Sequence, residues 1–203
     1  MNHDTYTLGI DIGGTHIDVV AVDRAGEIIA SDKMLVGTEL RVSVRRAIRR
    51  LVPEYLSAEA CIGIHLGTTL GVNALLTLES LYRVGVLRLA ANRPDLPPGS
   101  QFQIHQREAI IAGFETIEGG VHYDGRLMKA CSDHDVFSAL ERLILGGAES
   151  LAIVSVFSPL YQDQEQRILE LIQHSQYRHL PVSLSHQVGG LGFFERENNT
   201  ILN

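Results

Sequence analysis

Within eight residues the chain sets out Asp11, Gly13, Gly14, Thr15 and Asp18, inside the stretch Leu8-Gly9-Ile10-Asp11-Ile12-Gly13-Gly14-Thr15-His16-Ile17-Asp18. An apolar run ends in an acid, two glycines and a threonine, and a second apolar run follows. Glycine frees the backbone and lets a ligand come close to the amide groups. Successive N–H groups in such a turn make a concave anion site, to which a threonine hydroxyl adds a donor. Asp11, at the strand end, stands where a divalent cation bridging to phosphate is held, usually through water. The pattern reads as the phosphate-binding hairpin of an ATPase. A second place of this kind is Gly67-Thr68-Thr69. A threonine cap there leaves helix N-terminal amides at a strand edge, either as an anion site or as an ordinary strand-to-helix turn.

The elements that must hold these residues follow from hydrophobic periodicity. Residues 5–12 and 17–22 read as strands, with Asp23-Arg24-Ala25-Gly26 as a turn and 27–36 as a third strand, together an antiparallel meander. A helix over 39–52 gathers Leu40, Val44, Ala47, Ile48 and Leu51 on one face. Arg41, Arg45, Arg46, Arg49 and Arg50 form the other, read as a solvated basic stripe, and Pro53 is expected to end the helix. Residues 61–66 read as a strand, and 70–80, apolar on nearly all sides, as a buried helix. After a strand at 83–90, residues 92–100 carry three of the six prolines and read as a loop and a domain seam. Short strands and turns are expected over 101–127, so that about 92–130 forms a smaller inserted sub-region. Ser132 then opens a helix stopped at Gly146-Gly147, followed by a strand at 150–157, a helix at 162–174, a strand at 182–185 and a helix from Phe193.

The totals exclude several classes. The chain has 203 residues, 45% of them hydrophobic, and a formal net charge of −7. That balance argues against nucleic acid as a partner, because phosphate backbones select clustered Lys and Arg. Cys61 and Cys131 have no metal-type spacing and read as reduced thiols. Met1-Asn2-His3-Asp4 is not the start of a signal peptide, and no run reaches the ~18 apolar residues of a membrane span. A cytoplasmic protein without a membrane segment is expected.

The order of elements resembles the ribonuclease H-like half-domain of the actin, Hsp70 and sugar-kinase ATPase superfamily. That is an α/β fold, a mixed sheet with flanking helices, in which nucleotide sits between two halves. Three motifs in order sharpen the resemblance. Gly9-Ile10-Asp11-Ile12-Gly13-Gly14-Thr15 with Asp18 looks like a GIDxGGTxxD signature. His65-Leu66-Gly67-Thr68-Thr69 with Asn73-Ala74-Leu75-Leu76 looks like HGTTxxxNALL. Val182-Ser183-Leu184-Ser185-His186, with Glu195-Arg196-Glu197-Asn198 and Thr200-Ile201-Leu202-Asn203, looks like SLSHE…ERxxxTxLNA. All three belong to the hydantoinase A / 5-oxoprolinase family, and the resemblance runs over about residues 6–203.

The resemblance implies an ATP-dependent hydrolase that opens a small cyclic-amide substrate after phosphorylating its lactam oxygen. It gives phosphate to Gly13, Gly14 and Thr15, and magnesium, through water, to Asp11. Thr68, Thr69 and Asn73 would face phosphate or substrate. Asp18 would be a second cleft acid beside Asp11 or a hairpin brace; Asp18 and Asn73 can equally be turn and helix-packing polarity. ATP and Mg2+ are the implied cofactors and a hydantoinase B-type subunit the implied partner, with homo-oligomerisation left open. His65 and His186 read more readily as hydrogen-bonded core histidines than as bases. Two departures stand out: His16-Ile17 replaces the family's usual Phe-Thr, removing one hydroxyl, and Gln187 stands where Glu is common. The second ATPase half is absent from these residues, so the 203-residue chain is expected to be an N-terminal domain, inactive and a weak ATP binder alone. Two other readings remain: half of a sugar or acyl kinase-like ATPase, or a non-catalytic truncated or subunit-interaction module.

Overall fold

A computed structural model describes residues 5–91 and 96–203, and within the first helix nothing of the side chains of 53–55. The N-terminal tetrapeptide and part of the proline-rich loop read above therefore lie outside the described residues. The chain divides into two compact units, Met1–Glu79 and Ser80–Asn203. The division precedes the proline-rich stretch that the sequence suggested as a seam.

The first unit opens with the expected meander, β1 (Tyr6–Ile12), β2 (His16–Asp23) and β3 (Ile28–Leu35). A helix α1 (Leu40–Tyr55) leads to β4 (Cys61–Thr68), which pairs parallel to β1, and α2 (Leu70–Thr77) closes the unit. The sheet order is β3-β2-β1-β4, so the sheet is mixed. Strand alternation decides its faces. Tyr6, Leu8, Ile10 and Ile12 of β1 and Ile17, Val19 and Ala21 of β2 are buried in one cluster with Ala47 and Leu51 of α1. Each fully buried Leu or Ile contributes roughly 1.5–3 kcal/mol, whereas the exposed Arg50–Asp32 pair at 2.9 Å contributes at most about 1 kcal/mol. The apolar face of α1, not its arginines, fixes where the helix lies; the arginine stripe is exposed.

Three expectations for this unit need correction. Helix α1 runs through Pro53 to Tyr55, although a proline at that point cannot donate a helical N–H bond. Helix α2 stops at Thr77, with Leu78 in the left-handed region. It buries no residue, although its apolar composition read as a core helix.

The second unit is built on an all-parallel sheet, β6-β5-β7-β8. Its strands are β5 (Val84–Leu89), β6 (Ile111–Ile117), β7 (Ser150–Ser155) and β8 (Val182–Leu184). Its helices are α3 (Ile104–Ile110), α4 (Asp133–Leu145), α5 (Asp163–Gln173) and α6 (Phe193–Leu202). Strands β5 and β7 are buried almost throughout, as parallel strands covered on both faces must be. Val136, Leu140 and Leu143 of α4 and Ile168 and Ile172 of α5 share a core with Leu87, Leu89, Leu151 and Ile153. Ser132 caps α4, its hydroxyl accepting from the Asp135 N–H at 3.1 Å, a contact that typically stabilises a helix by about 1 kcal/mol. The stretch read as short strands and turns instead holds α3 and β6, and β6 pairs with β5 inside this sheet.

Candidate functional site

The hairpin between β1 and β2 closes on a hydrogen bond from the Gly13 N–H to the His16 carbonyl at 2.9 Å. Neither Gly13 nor Gly14 adopts a positive φ, so conformational freedom is not why glycine stands there. Space is. A Cβ on Gly14 would come within 3.2 Å of the Asn73 side-chain amide, and one on Gly13 within 3.3 Å of the His16 carbonyl. Asn73, in the first turn of α2, therefore lies directly over the glycine turn. Among the described residues no hydrogen bond engages the N–H of Gly14 or of Thr15. The Thr15 hydroxyl lies 3.0 Å from His16 Nδ1.

The Gly67-Thr68-Thr69 turn meets the same place from the neighbouring strand. Thr68 donates its hydroxyl to the Ile12 carbonyl at 3.1 Å and accepts from the Leu70 N–H at 3.1 Å. The Thr69 N–H reaches the same carbonyl at 3.3 Å. Thr68 is thus the stitch between β1 and the start of α2, and Thr69 makes no side-chain cap. The parallel register sets Ile12 beside Thr68 and Asp11 beside Gly67. Gly13, Gly14, Thr15, Thr68, Thr69 and Asn73 are in this way gathered at the carboxyl ends of β1 and β4.

Asp11 and Asp18 are directly opposite one another on β1 and β2, on the sheet face away from α1. Like charges in that position repel. Lys33, opposite Asp18 on β3, relieves the repulsion with both Asp18 oxygens at 3.0 Å. Asp18 is accordingly held as a brace between β2 and β3. Asp11 makes no hydrogen bond or ion pair among the described residues, and it is exposed. His65 shares this face but is exposed, not a core histidine: its cross-strand neighbour is Gly9, which has no side chain to cover it. With Lys33, Gly9 and Gly67 these residues line an open groove of about 810 Å3.

His186 fits its expectation. Its Nδ1 lies 2.6 Å from Glu165 Oε2, which fixes the ring proton there and leaves Nε2 to accept from the Gln166 amide at 3.2 Å. Around it lies a buried network that sequence reading did not anticipate. Glu165 also accepts from the Ser155 N–H (2.8 Å), the Ser185 hydroxyl (2.6 Å) and the His186 N–H (3.0 Å). Arg196 donates to Ser185 Oγ at 3.0 Å, to the Ser155 carbonyl at 2.6 Å and to the Gly190 and Leu191 carbonyls. Burial draws the Arg196 guanidinium below its usual value, against the pull of the Glu165 and Glu197 carboxylates. Arg88, on β5, meets Glu197 in a bidentate pair at 2.5 and 2.6 Å, donates to the Leu96 carbonyl, and lies over the rings of Phe114 and Phe193. The readable signal was a charged residue inside the apolar run 84–90.

These groups fill the crevice at the carboxyl ends of β5 and β7, where sheets of this kind commonly take a ligand. The third sequence motif is therefore largely a structural stitch that seats α6.

A meander, a parallel fourth strand and an open glycine hairpin define the first unit as a ribonuclease H-like α/β fold. The hydantoinase/oxoprolinase N-terminal region model matches residues 7–175, and the chain belongs to that family. A 5-oxoprolinase of Dictyostelium discoideum is 23% identical over 221 aligned residues, covering 88% of this chain and 17% of that protein. Among solved structures, nucleotide-free acetone carboxylase superposes with a TM-score of 0.72 at 15% identity, over 98% of this chain and 32% of the other. The ATP-dependent caprolactamase of Pseudomonas jessenii gives 0.63 at 21% identity, over 98% and 31%. The chain thus spans about a third or less of the length of these relatives. Among the described residues no helix is long and apolar enough to cross a membrane.

Proposed function

We propose that the first unit is the phosphate-gripping part of an ATP-dependent enzyme that opens cyclic amides, the activity residing in a longer protein. The observation that carries this reading is the convergence of an unpaired Asp11 with the unengaged Gly14 and Thr15 amides at one strand end. Free amides stabilise phosphoryl oxygens by pointing fixed dipoles at the charge they carry. Asn73, held over Gly14, adds a side-chain amide at the same spot. Thr68 and Thr69 keep β1 and α2 in register so that these donors converge.

The donor set suits magnesium. Mg2+ is usually bound through one or two carboxylates, phosphate oxygens and water, without an all-protein cage, and no cluster of three potential ligands exists among the described residues. Asp11 would hold the ion, which supplies charge neutralisation to the phosphates when bound. Asp18, tied to Lys33, keeps β2 against β3 and so holds the hairpin that presents Thr15. The cyclic-amide class of substrate draws its support from the family and from the caprolactamase and 5-oxoprolinase relatives. The test is Asp11→Asn in the complete protein. ATP-dependent ring opening is expected to disappear while circular dichroism and unfolding stay unchanged; an unaltered turnover rate removes Asp11 from the reaction.

A further inference from the structure

Neutral amides answer only part of the charge that a phosphate carries. Residues 9–18 and 65–73, which build the glycine hairpin and the turn against it, contain no lysine or arginine. Lys33, on β3, is already held by both oxygens of Asp18 at 3.0 Å. The side chains in those stretches that can become cations are His16 and His65. They are placed differently. His65 lies beside Gly9, well short of the hairpin. His16 is the first residue of β2, and its carbonyl accepts the Gly13 N–H that closes the turn. Its Nδ1 lies 3.0 Å from the Thr15 hydroxyl, while Nε2 has no partner among the described residues.

The surroundings leave the ring free to gain a proton. Strand alternation turns His16 to the face that carries Asp18, away from the buried Ile17 and Val19. The other ionisable groups on that face are Asp11 on β1, Lys33 on β3 and His65 on β4. Helix α2 carries none. The loop that begins at Val36, whose N–H donates to the Thr15 carbonyl, adds Glu39. Three carboxylates against one ammonium favour a charged imidazole. Opposite His16 stands Leu35, itself 67% exposed, so the ring is not sealed from solvent.

The contact with Thr15 gives that proton a second effect. A neutral ring with its proton on Nε2 accepts at Nδ1, and it takes the Thr15 hydroxyl proton. A ring with both protons donates from Nδ1 to Thr15 Oγ, which releases the hydroxyl proton to point elsewhere. We propose that His16 is a proton-linked phosphate-binding residue: as phosphate docks on the Gly14 and Thr15 amides, the imidazole takes one proton from solvent, and Thr15 turns its hydroxyl to a phosphate oxygen. The imidazolium then supplies the cation that the hairpin lacks. This rests on the reading of the hairpin as a phosphate grip. The added affinity is complete below the pKa of the free ring and is lost as pH rises through that of the complexed ring. A rise of about one unit on binding corresponds to about tenfold in affinity.

Calorimetry of Mg-ATP binding to the full polypeptide of the gene, in buffers of different ionisation enthalpy, tests it. Net uptake of a fraction of a proton per ATP is expected near about pH 7, where imidazoles titrate. Between about pH 6 and about pH 8.5 the affinity is expected to fall about tenfold more than in His16→Asn, whose amide cannot gain a proton. Comparing the two proteins at each pH cancels the titration of the nucleotide itself. Wild-type binding without proton uptake overturns the inference, whether or not the variant folds. Uptake that persists undiminished in His16→Asn also overturns it, by moving the titration to another group such as His65. In both cases the phosphate-grip reading survives, because ATP still binds. No binding by the wild-type protein at any pH removes that reading and this inference with it.

Discussion

Asp11 and Arg88 occupy the same kind of place, each the penultimate residue of an internal strand in its own sheet. Their surroundings are opposites. Arg88 is enclosed by a carboxylate, a carbonyl and two aromatic faces, while Asp11 stands exposed and unpaired among the described residues. A charge at a strand end is thus either answered from within the fold or left for a ligand. The contrast shows why motif resemblance alone does not assign a role: two of the three motifs lie at the open strand ends, and the third closes the crevice in the other sheet.

If the contrast is sound, removing internal partners should cost far more than removing the surface brace. The largest effect is expected from Glu197→Ala, which strands a buried guanidinium: about 3–5 kcal/mol of the second unit's stability, read from urea unfolding. Replacing both partners with Arg88→Met and Glu197→Leu should recover most of it. A loss below about 1 kcal/mol for the single change would place Arg88 in contact with water. Next is Glu165→Ala, which leaves donors from Ser155, Ser185 and His186 without their acceptor. A loss of roughly 1–3 kcal/mol is expected, with faster exchange of the Ser155 amide; unchanged exchange there would contradict the network. The smallest effect belongs to Lys33→Ala, since both partners of its ion pair are about half exposed. No more than about 1 kcal/mol should be lost, and a larger drop would mean that repulsion between Asp11 and Asp18 is held off mainly by Lys33.

Much of this molecule could be read from its residues, and the failures have physical causes. The meander was legible because residues 5–12 and 17–22 are apolar runs and because Asp23 to Gly26 is a turn by composition. Helix α4 was legible from its serine cap and glycine stop. The hairpin's roles were partly legible: the glycines announce close approach, but that Asn73 supplies the approaching group is a tertiary fact. Helix α2 was misread because all-round apolar composition means burial only when a cover is present. His65 was misread for a related reason, its neighbour Gly9 offering no side chain. The pairing of Arg88 with Glu197 could not be seen at all, since nothing local marks two residues that lie 109 positions apart.

That separation sets an order of events during synthesis. The ring-stacked guanidinium of β5 leaves the ribosome long before its carboxylate partner has been translated. The four described strands of the first sheet, by contrast, are complete once Thr68 has emerged. Domains made first tend to fold first, and contacts between distant residues form late. These four strands can therefore pair while the nascent chain is still growing, whereas the second unit must wait for α6, which carries Glu197.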